Sequence, residues 1–289
     1  MTASFKKPPP SLIYSVVSFP LPHILFVVFN RPKVLNCLCS DAQYELEELF
    51  AWYDTEPSLR CAVVTGAGRA FCTGADLKEW DQSNERKERG ERDPRPLIPP
   101  SGFGGLSRRH GKKPVIAAVN GLAFGGGMEI VANLDLILAA KSAKFALPEA
   151  KRGVVAMAGS LPRLTRTIGR PRAMQMALTG RAVTADEAEK WGFVNIVVDD
   201  ATSVELDVID RPVVKKALEY ATEIVQNSPD SVIISRAGVM SAWEDASAEN
   251  SSRLLHETWG QALDEGENLR EGVMAFVQKR EPHWVNSKL

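Results

Sequence analysis

Residues 115–140, VIAAVNGLAFGGGMEIVANLDLILAA, limit what the chain can fold into more than any other stretch. Residues 115–119 are short and wholly apolar, as a strand buried on both faces would be. Asn120-Gly121 is a turn signal, and Gly125, Gly126 and Gly127 open what reads as a helix. Only Glu129 and Asp135 are ionisable in the whole stretch. Glu129 falls on the first turn of an otherwise apolar helix. Burial there raises a carboxyl pKa, whereas a helix N-terminus lowers it. Two readings stand side by side. One is a glycine-rich turn whose acid helps the helix N-terminus. The other is a buried acid/base next to backbone N–H groups that hold an anion.

The 289 residues suffice for one large domain, or for one domain with a smaller appendage. A net charge of −1 gives no electrostatic case for nucleic acid or an anionic membrane as partner. Cys37, Cys39, Cys61 and Cys72 form no C-x-x-C pair and have no histidine cluster beside them, so no metal site is expected and free thiols are. Residues 11–30 lack Asp, Glu, Lys and Arg, but Pro20, Pro22 and His23 interrupt them. Two strands around a turn fit better than a membrane or signal segment. Ser287-Lys288-Leu289 matches a peroxisomal address, which implies peroxisomal localisation and an import receptor as partner.

Residues 1–10, Lys- and Pro-rich, are expected to be a disordered tail, followed by an α/β core over 11–199. Within that core, strands are expected at 12–18, 24–29, 60–65, 144–147 and 193–198. A helix runs from Ser40 or Asp41 to about Trp52, and a short one starts near Asp76. Residues 81–113 are dense in Glu and Arg, then Pro- and Gly-rich, and read as a long flexible loop, either a lid or a mobile excursion. Arg108, Arg109, Lys112 and Lys113 at its end form a basic cluster that is either solvated surface or a phosphate contact. Further helices are expected at 161–168, 170–178 and 184–190, the last with a Thr184/Glu187 capping box. Residues 200–284 form a C-terminal helical region that packs on the body or on another subunit, and 285–289 the targeting tail. The alternation of strands and helices up to residue 198 argues for parallel, crossover-linked strands.

Several chemistries fail on inspection. Gly66-Ala67-Gly68 does not complete a dinucleotide fingerprint, because Phe71 stands where the third glycine should be. There is no Walker A motif and no nucleophile elbow; Ser160 follows a glycine without the elbow's framing. Two glycine-rich loops entering helices remain, together with Glu129 and Glu149 in apolar surroundings. That set suits a carbonyl whose oxygen becomes negative, held by one N–H group per loop, while two carboxylates move protons on neighbouring carbons.

Asn120-Gly121-x-Ala123-x-Gly125-Gly126-Gly127-x-Glu129 with Asp135 resembles the signature of the crotonase, or enoyl-CoA hydratase/isomerase, superfamily. The resemblance extends to Ala70-Phe71-Cys72-x-Gly74-Ala75-Asp76-Leu77-Lys78, Phe145-x-Leu147-Pro148-Glu149 and Glu271-Gly272-x-x-Ala275-Phe276-x-x-Lys279-Arg280, and covers nearly all of residues 24–284. It implies a ββα spiral core with a C-terminal helical trimerisation region, assembled as trimers or hexamers. It implies an oxyanion hole at Ala75 and Gly126, with Ala75, Asp76, Leu77, Lys78 and Gly126 along the coenzyme A. Glu129 would activate the water added at C3, and Glu149 would move the C2 proton. Coenzyme A would be the acyl carrier, with no permanently bound cofactor and no metal.

Both glutamates together favour reversible hydration of a 2-enoyl-CoA to a 3-hydroxyacyl-CoA. A Δ3–Δ2 enoyl-CoA isomerase, a thioester hydrolase and an RNA-binding member are the alternatives, as is a specialised dehydratase of a siderophore or other secondary-metabolite pathway. One departure concerns the acyl group. Where the family's short-chain hydratases carry a glycine-rich loop, this chain has Ala156-Met157-Ala158-Gly159-Ser160, which places Met157 in the acyl pocket.

Overall fold

In the computed structural model the described residues are 5–7, 9–92, 94–200, 206–245 and 247–289. The chain begins with β1 (Ser15–Ser18), β2 (Ile24–Phe29), α1 (Ser40–Thr55), β3 (Cys61–Gly66), β4 (Ala70–Cys72) and α2 (Leu77–Glu88). It continues through β5 (Val115–Val119), β6 (Leu122–Phe124), α3 (Gly126–Val131), β7 (Leu136–Ala140) and β8 (Lys144–Ala146). After them come α4 (Ser160–Ile168), α5 (Arg170–Thr179), β9 (Val183–Thr184), α6 (Ala185–Lys190) and β10 (Ile196–Val198). The last four helices are α7 (Pro212–Val225), α8 (Pro229–Glu244), α9 (Ala248–Asp264) and α10 (Glu267–Gln278).

Two sheets share the strands. One has the order β1-β2-β3-β5-β7-β10, the other β4-β6-β8-β9. The pairs β3/β4, β5/β6 and β7/β8 each give one strand to each sheet, so the chain winds as a succession of ββα turns. Every strand pair from β2 to β10 in the first sheet is parallel, with Val64 opposite Ala117 and Ala117 opposite Ile137. Such strands are buried on both faces, which is why they read as unbroken apolar runs. Leu25, Val27 and Phe29 point into the central core, while Ile24, Phe26 and Val28 meet Val213, Ala217 and Ala221 of α7 on the other face.

Two expectations need correction. The tail expected over residues 1–10 is tied down where it is described. The Phe5 ring lies 4.6 Å from Phe19 and 5.4 Å from Trp52, and Lys6 N–H donates to Glu56 at 2.9 Å. Residues 1–4 and 8 lie outside the described residues. Residues 81–113 are not one flexible loop. Their first part completes α2, capped by the Asp76 carboxylate and held by Glu79, which accepts from Ser40 N–H at 2.7 Å and Ser40 Oγ at 2.6 Å. Their last part is core: Phe103 and Leu106 are buried, and Arg109 pairs with Asp54 at 2.6 Å. The region after residue 206 is helical as expected, with an unforeseen break between α8 and α9. Its final residues lie along the body. Asn268 and Val285 exchange two hydrogen bonds, and Lys112 and Glu267 hold Leu289 and Lys288.

Candidate active site

The two glycine-rich loops meet back to back. Gly74 follows β4 at φ +96°, and a Cβ there would stand 3.0 Å from the Gly126 nitrogen. Only glycine combines that left-handed backbone with so close an approach. Leu38 N–H donates to Gly74 O at 2.9 Å and Asp76 N–H to Leu38 O at 3.1 Å. In this parallel bridge the intervening Ala75 turns its own N–H to the opposite side. Gly126 is the first residue of α3, so its N–H has no partner within the helix. The expected oxyanion pair, Ala75 and Gly126, therefore consists of amides that the backbone leaves uncommitted. Phe103 packs directly on Gly126, where a Cβ would meet the ring at 2.6 Å. Phe103, from the segment expected to be either a lid or a mobile excursion, thus walls the helix N-terminus.

Glu129 lies one turn into α3 and is 4% exposed. Its Oε1 accepts from Ser160 Oγ at 3.0 Å and from Ser160 N–H at 3.3 Å. Burial pushes its pKa up, and the donors of Ser160 with the amides of Ala158 and Gly159 pull it back. Glu149 starts the 3-10 turn Glu149–Arg152, which Lys151 pins to the end of α5 by donating to Gly180 O at 2.8 Å. Its Oε1 lies 3.3 Å from where a Gly125 Cβ would stand, which puts the carboxyl beside the N-terminus of α3. Its Oε2 is buried without a hydrogen-bond partner. Burial pushes the Glu149 pKa up to about 7, and the negative charge of Glu129 adds to the rise. Two carboxylates of one type thus hold protons unequally, as an acid/base pair requires.

The remaining expected residues are spread along the approach. Asp76 is spent on capping α2 and on Arg31, 3.0 Å away. Leu77 and Lys78 lie on the surface, so the run from Ala75 leads outward from the oxyanion donors. Met157 is 80% exposed. It stands on the rim of the loop 153–159 rather than in an enclosed pocket of this chain. Asp135 is structural, accepting from Val115 N–H at 2.8 Å and from Arg236 Nε at 2.7 Å. A cavity of about 490 Å³ between Arg60, Lys113, Ile233 and Leu289 contains neither glutamate. Among the described residues, no cluster of three or more His, Cys, Asp or Glu is placed to hold a metal ion.

Sequence reasoning missed Ser160, weighed only as a nucleophile and set aside. Its position, a hydroxyl opening a helix after a glycine, marks a donor but does not say which acceptor it serves. Ser107, whose Oγ donates to Ala158 O at 2.6 Å, and Arg163, whose Nη1 donates to Gly159 O at 3.0 Å, hold that loop in place.

The enoyl-CoA hydratase/isomerase family model matches residues 22–287. The chain belongs to that family. A mevalonyl-coenzyme A hydratase of Beauveria bassiana is 51% identical over 290 residues, covering 99% of this chain and 100% of the relative. One from Aspergillus fumigatus is 45% identical, covering 97% and 98%. A solved enoyl-CoA hydratase from Mycobacterium marinum superposes with a TM-score of 0.81 at 30% identity, covering 95% of this chain and 99% of that one. The ββα core and its C-terminal helices are those of the family, and the enzyme is a hydro-lyase that adds water to, or removes it from, an acyl-CoA.

Proposed function

We propose that this hydro-lyase acts on a mevalonyl-type coenzyme A thioester, a 3-hydroxyacyl group branched by a methyl at C3, and interconverts it with its 2-enoyl product in a siderophore or related secondary-metabolite pathway. The observation that carries the mechanism is the unequal pair: Glu129, hydrogen-bonded by Ser160, beside Glu149, whose Oε2 has no partner. The substrate class is supported by the two mevalonyl-coenzyme A hydratases that the chain resembles along almost its whole length.

In hydration, Glu129 takes a proton from water as the water oxygen bonds to C3. The C2–C3 π electrons move toward the thioester, whose oxygen becomes negative between the Ala75 and Gly126 amides. Glu149 then delivers its proton to C2. Dehydration runs the same steps backward. Either way the pair begins and ends with one proton, so the singly protonated pair is the working form in both directions. Each oxyanion donor of this kind contributes about 3 kcal/mol to the barrier reduction, and each acid/base ~10²–10⁴-fold in rate. The exposed Met157 lies over the acyl branch in this reading, and residues 75–78 along the carrier.

Turnover of mevalonyl-CoA and its dehydrated product, followed by mass spectrometry in heavy-oxygen water, tests the proposal. The parent should exchange solvent oxygen at C3, and Glu129→Gln and Glu149→Gln should each lose ~10²–10⁴-fold in kcat while still binding the thioester. Full activity in either variant, or double-bond migration without solvent oxygen, would sink it.

The reading includes a homo-oligomer, trimer or hexamer, and peroxisomal import. Phe276 and Val277 on α10 are 86% and 73% exposed, more apolar surface than a solitary helix should show to water. The purified chain should sediment as a multiple of three copies. An N-terminally labelled chain should reach peroxisomes through Ser287-Lys288-Leu289 and stay cytosolic once Leu289 is deleted.

A further inference from the structure

Glu129 and Glu149 are chemically the same group, yet the proposed reaction needs one as base and the other as acid. What distinguishes them is the set of hydrogen bonds around each. Glu149 has a buried oxygen with no donor. Glu129 has two donors on one oxygen, both from Ser160, at the start of α4. Ser160 is fully buried, so its hydroxyl is shielded from competing water. Gly159, at φ +122°, places the amide and the hydroxyl of the next residue on the same carboxyl oxygen.

We propose that Ser160 is a positioning residue that holds Glu129 as the ionised member of the pair and commits its Oε1, leaving Oε2 as the oxygen that takes the proton from water. This rests on the acid/base reading above and deepens it. A carboxylate accepts both Ser160 donors without rearrangement. A proton placed on Oε1 would have to displace one of them, and an unsatisfied buried donor is costly. Hydrogen bonds to the charged form favour that form. The shifts have the matching pattern: Ser160 opposes the burial that raises Glu129, and no side-chain donor opposes the rise of Glu149.

Other charged or titratable groups face Glu129 from the elements around it. Glu149 on the 3-10 turn opposes its ionisation. Arg163 of α4 favours ionisation. Arg163 cannot replace Ser160, because it is engaged by Asn133 at 2.6 Å and by Gly159 O.

The pH dependence of kcat/KM tests the inference. In the hydration direction activity requires Glu129 ionised and Glu149 protonated, so the acid limb of kcat/KM measured for hydration of the 2-enoyl-CoA reports Glu129. In Ser160→Ala that limb should move up by about one pH unit, a loss of up to about tenfold below the limb with little change above it and an unchanged KM. Ser160→Gly, which keeps the amide and removes the hydroxyl, should shift likewise. Ser160→Thr, which keeps the hydroxyl, should retain the parent limb. Should Ser160→Ala fail to fold by circular dichroism, Ser160→Gly carries the same test. Limbs that superimpose on the parent's, or an equal fall at every pH, would overturn the proposal. Glu129→Gln separates the two levels. If it stays fully active, the acid/base reading itself fails. If it is inactive while the serine variants keep the parent limb, only the role of Ser160 does.

Discussion

Glu149 illustrates what an acid costs when its environment is arranged for proton transfer. Its carboxyl is held near pKa 7 in the folded chain, against an ordinary 4.5. The folded state therefore keeps a proton that the unfolded chain has lost, and stability falls as pH rises from about 4.5 through about 7 and is level above. Glu149→Gln does not titrate. It should melt a few °C above the parent at pH 8, with the gap closing by pH 4.5, as read by calorimetry across that range. Equal melting temperatures at both pH values would show that the carboxyl is not strained by its burial. Glu129 and Glu149 stood out in the sequence as carboxylates in apolar surroundings beside glycine-rich loops, and the structure brings both to the N-terminus of α3, whereas Ala75 and Gly126 were implied only by the family resemblance. Ser160 did not stand out. Its bond to Glu129 joins residues 31 apart, and nothing near Ser160 in the sequence announces a carboxylate.

At the level of elements, the strands and the crossover helices could be read from apolar runs and breaks. Asp76 capping α2, Thr184 capping α6 and Pro229 opening α8 all stand where their side chains predict. The error at residues 81–113 has a definite cause. α2 lies on the surface with Ser83 as its one buried residue, so its composition is that of a solvated segment. The anchors that follow it are single residues scattered among Pro and Gly: Ser101 on Glu47 at 2.8 Å, and Leu106 O accepting from Asn133 at 2.7 Å. Periodicity detects a face that repeats. It does not detect isolated pins, each satisfied by a partner distant in sequence. Likewise the lysines and arginines at 108–113 read as one basic cluster, whereas Arg109 and Lys113 are buried, on Asp54 and on the Tyr53 and Glu56 carbonyls.

Over the whole molecule, the two sheets and α7 form a body whose strands are buried on both faces, while α8, α9 and α10 carry much of their apolar surface outward. Val239, Val273, Phe276 and Val277 are each more than half exposed. This asymmetry is the reason assembly belongs to the proposed function. The sequence showed too much apolar surface for a solvated tail, but which face is left open depends on how the helices dock.

The pins on either side of residues 89–92 bear on covalent continuity. This stretch is wholly exposed and carries Arg89 and Arg92. The chain before it is fixed through Glu79 and Arg31, and the chain after it through Glu47, Asp54 and Asn133. The site needs both sides in place, but no contact at the site passes through the exposed link. Limited trypsin digestion of the native enzyme should therefore yield two fragments that elute together and keep the parent's kcat. Inactivation in step with that cut would show the link to be under tension. If the fragments hold together, the enzyme can be expressed as two separate polypeptides divided here, with the proposed oxyanion donor Ala75 on one and Gly126 and both glutamates on the other.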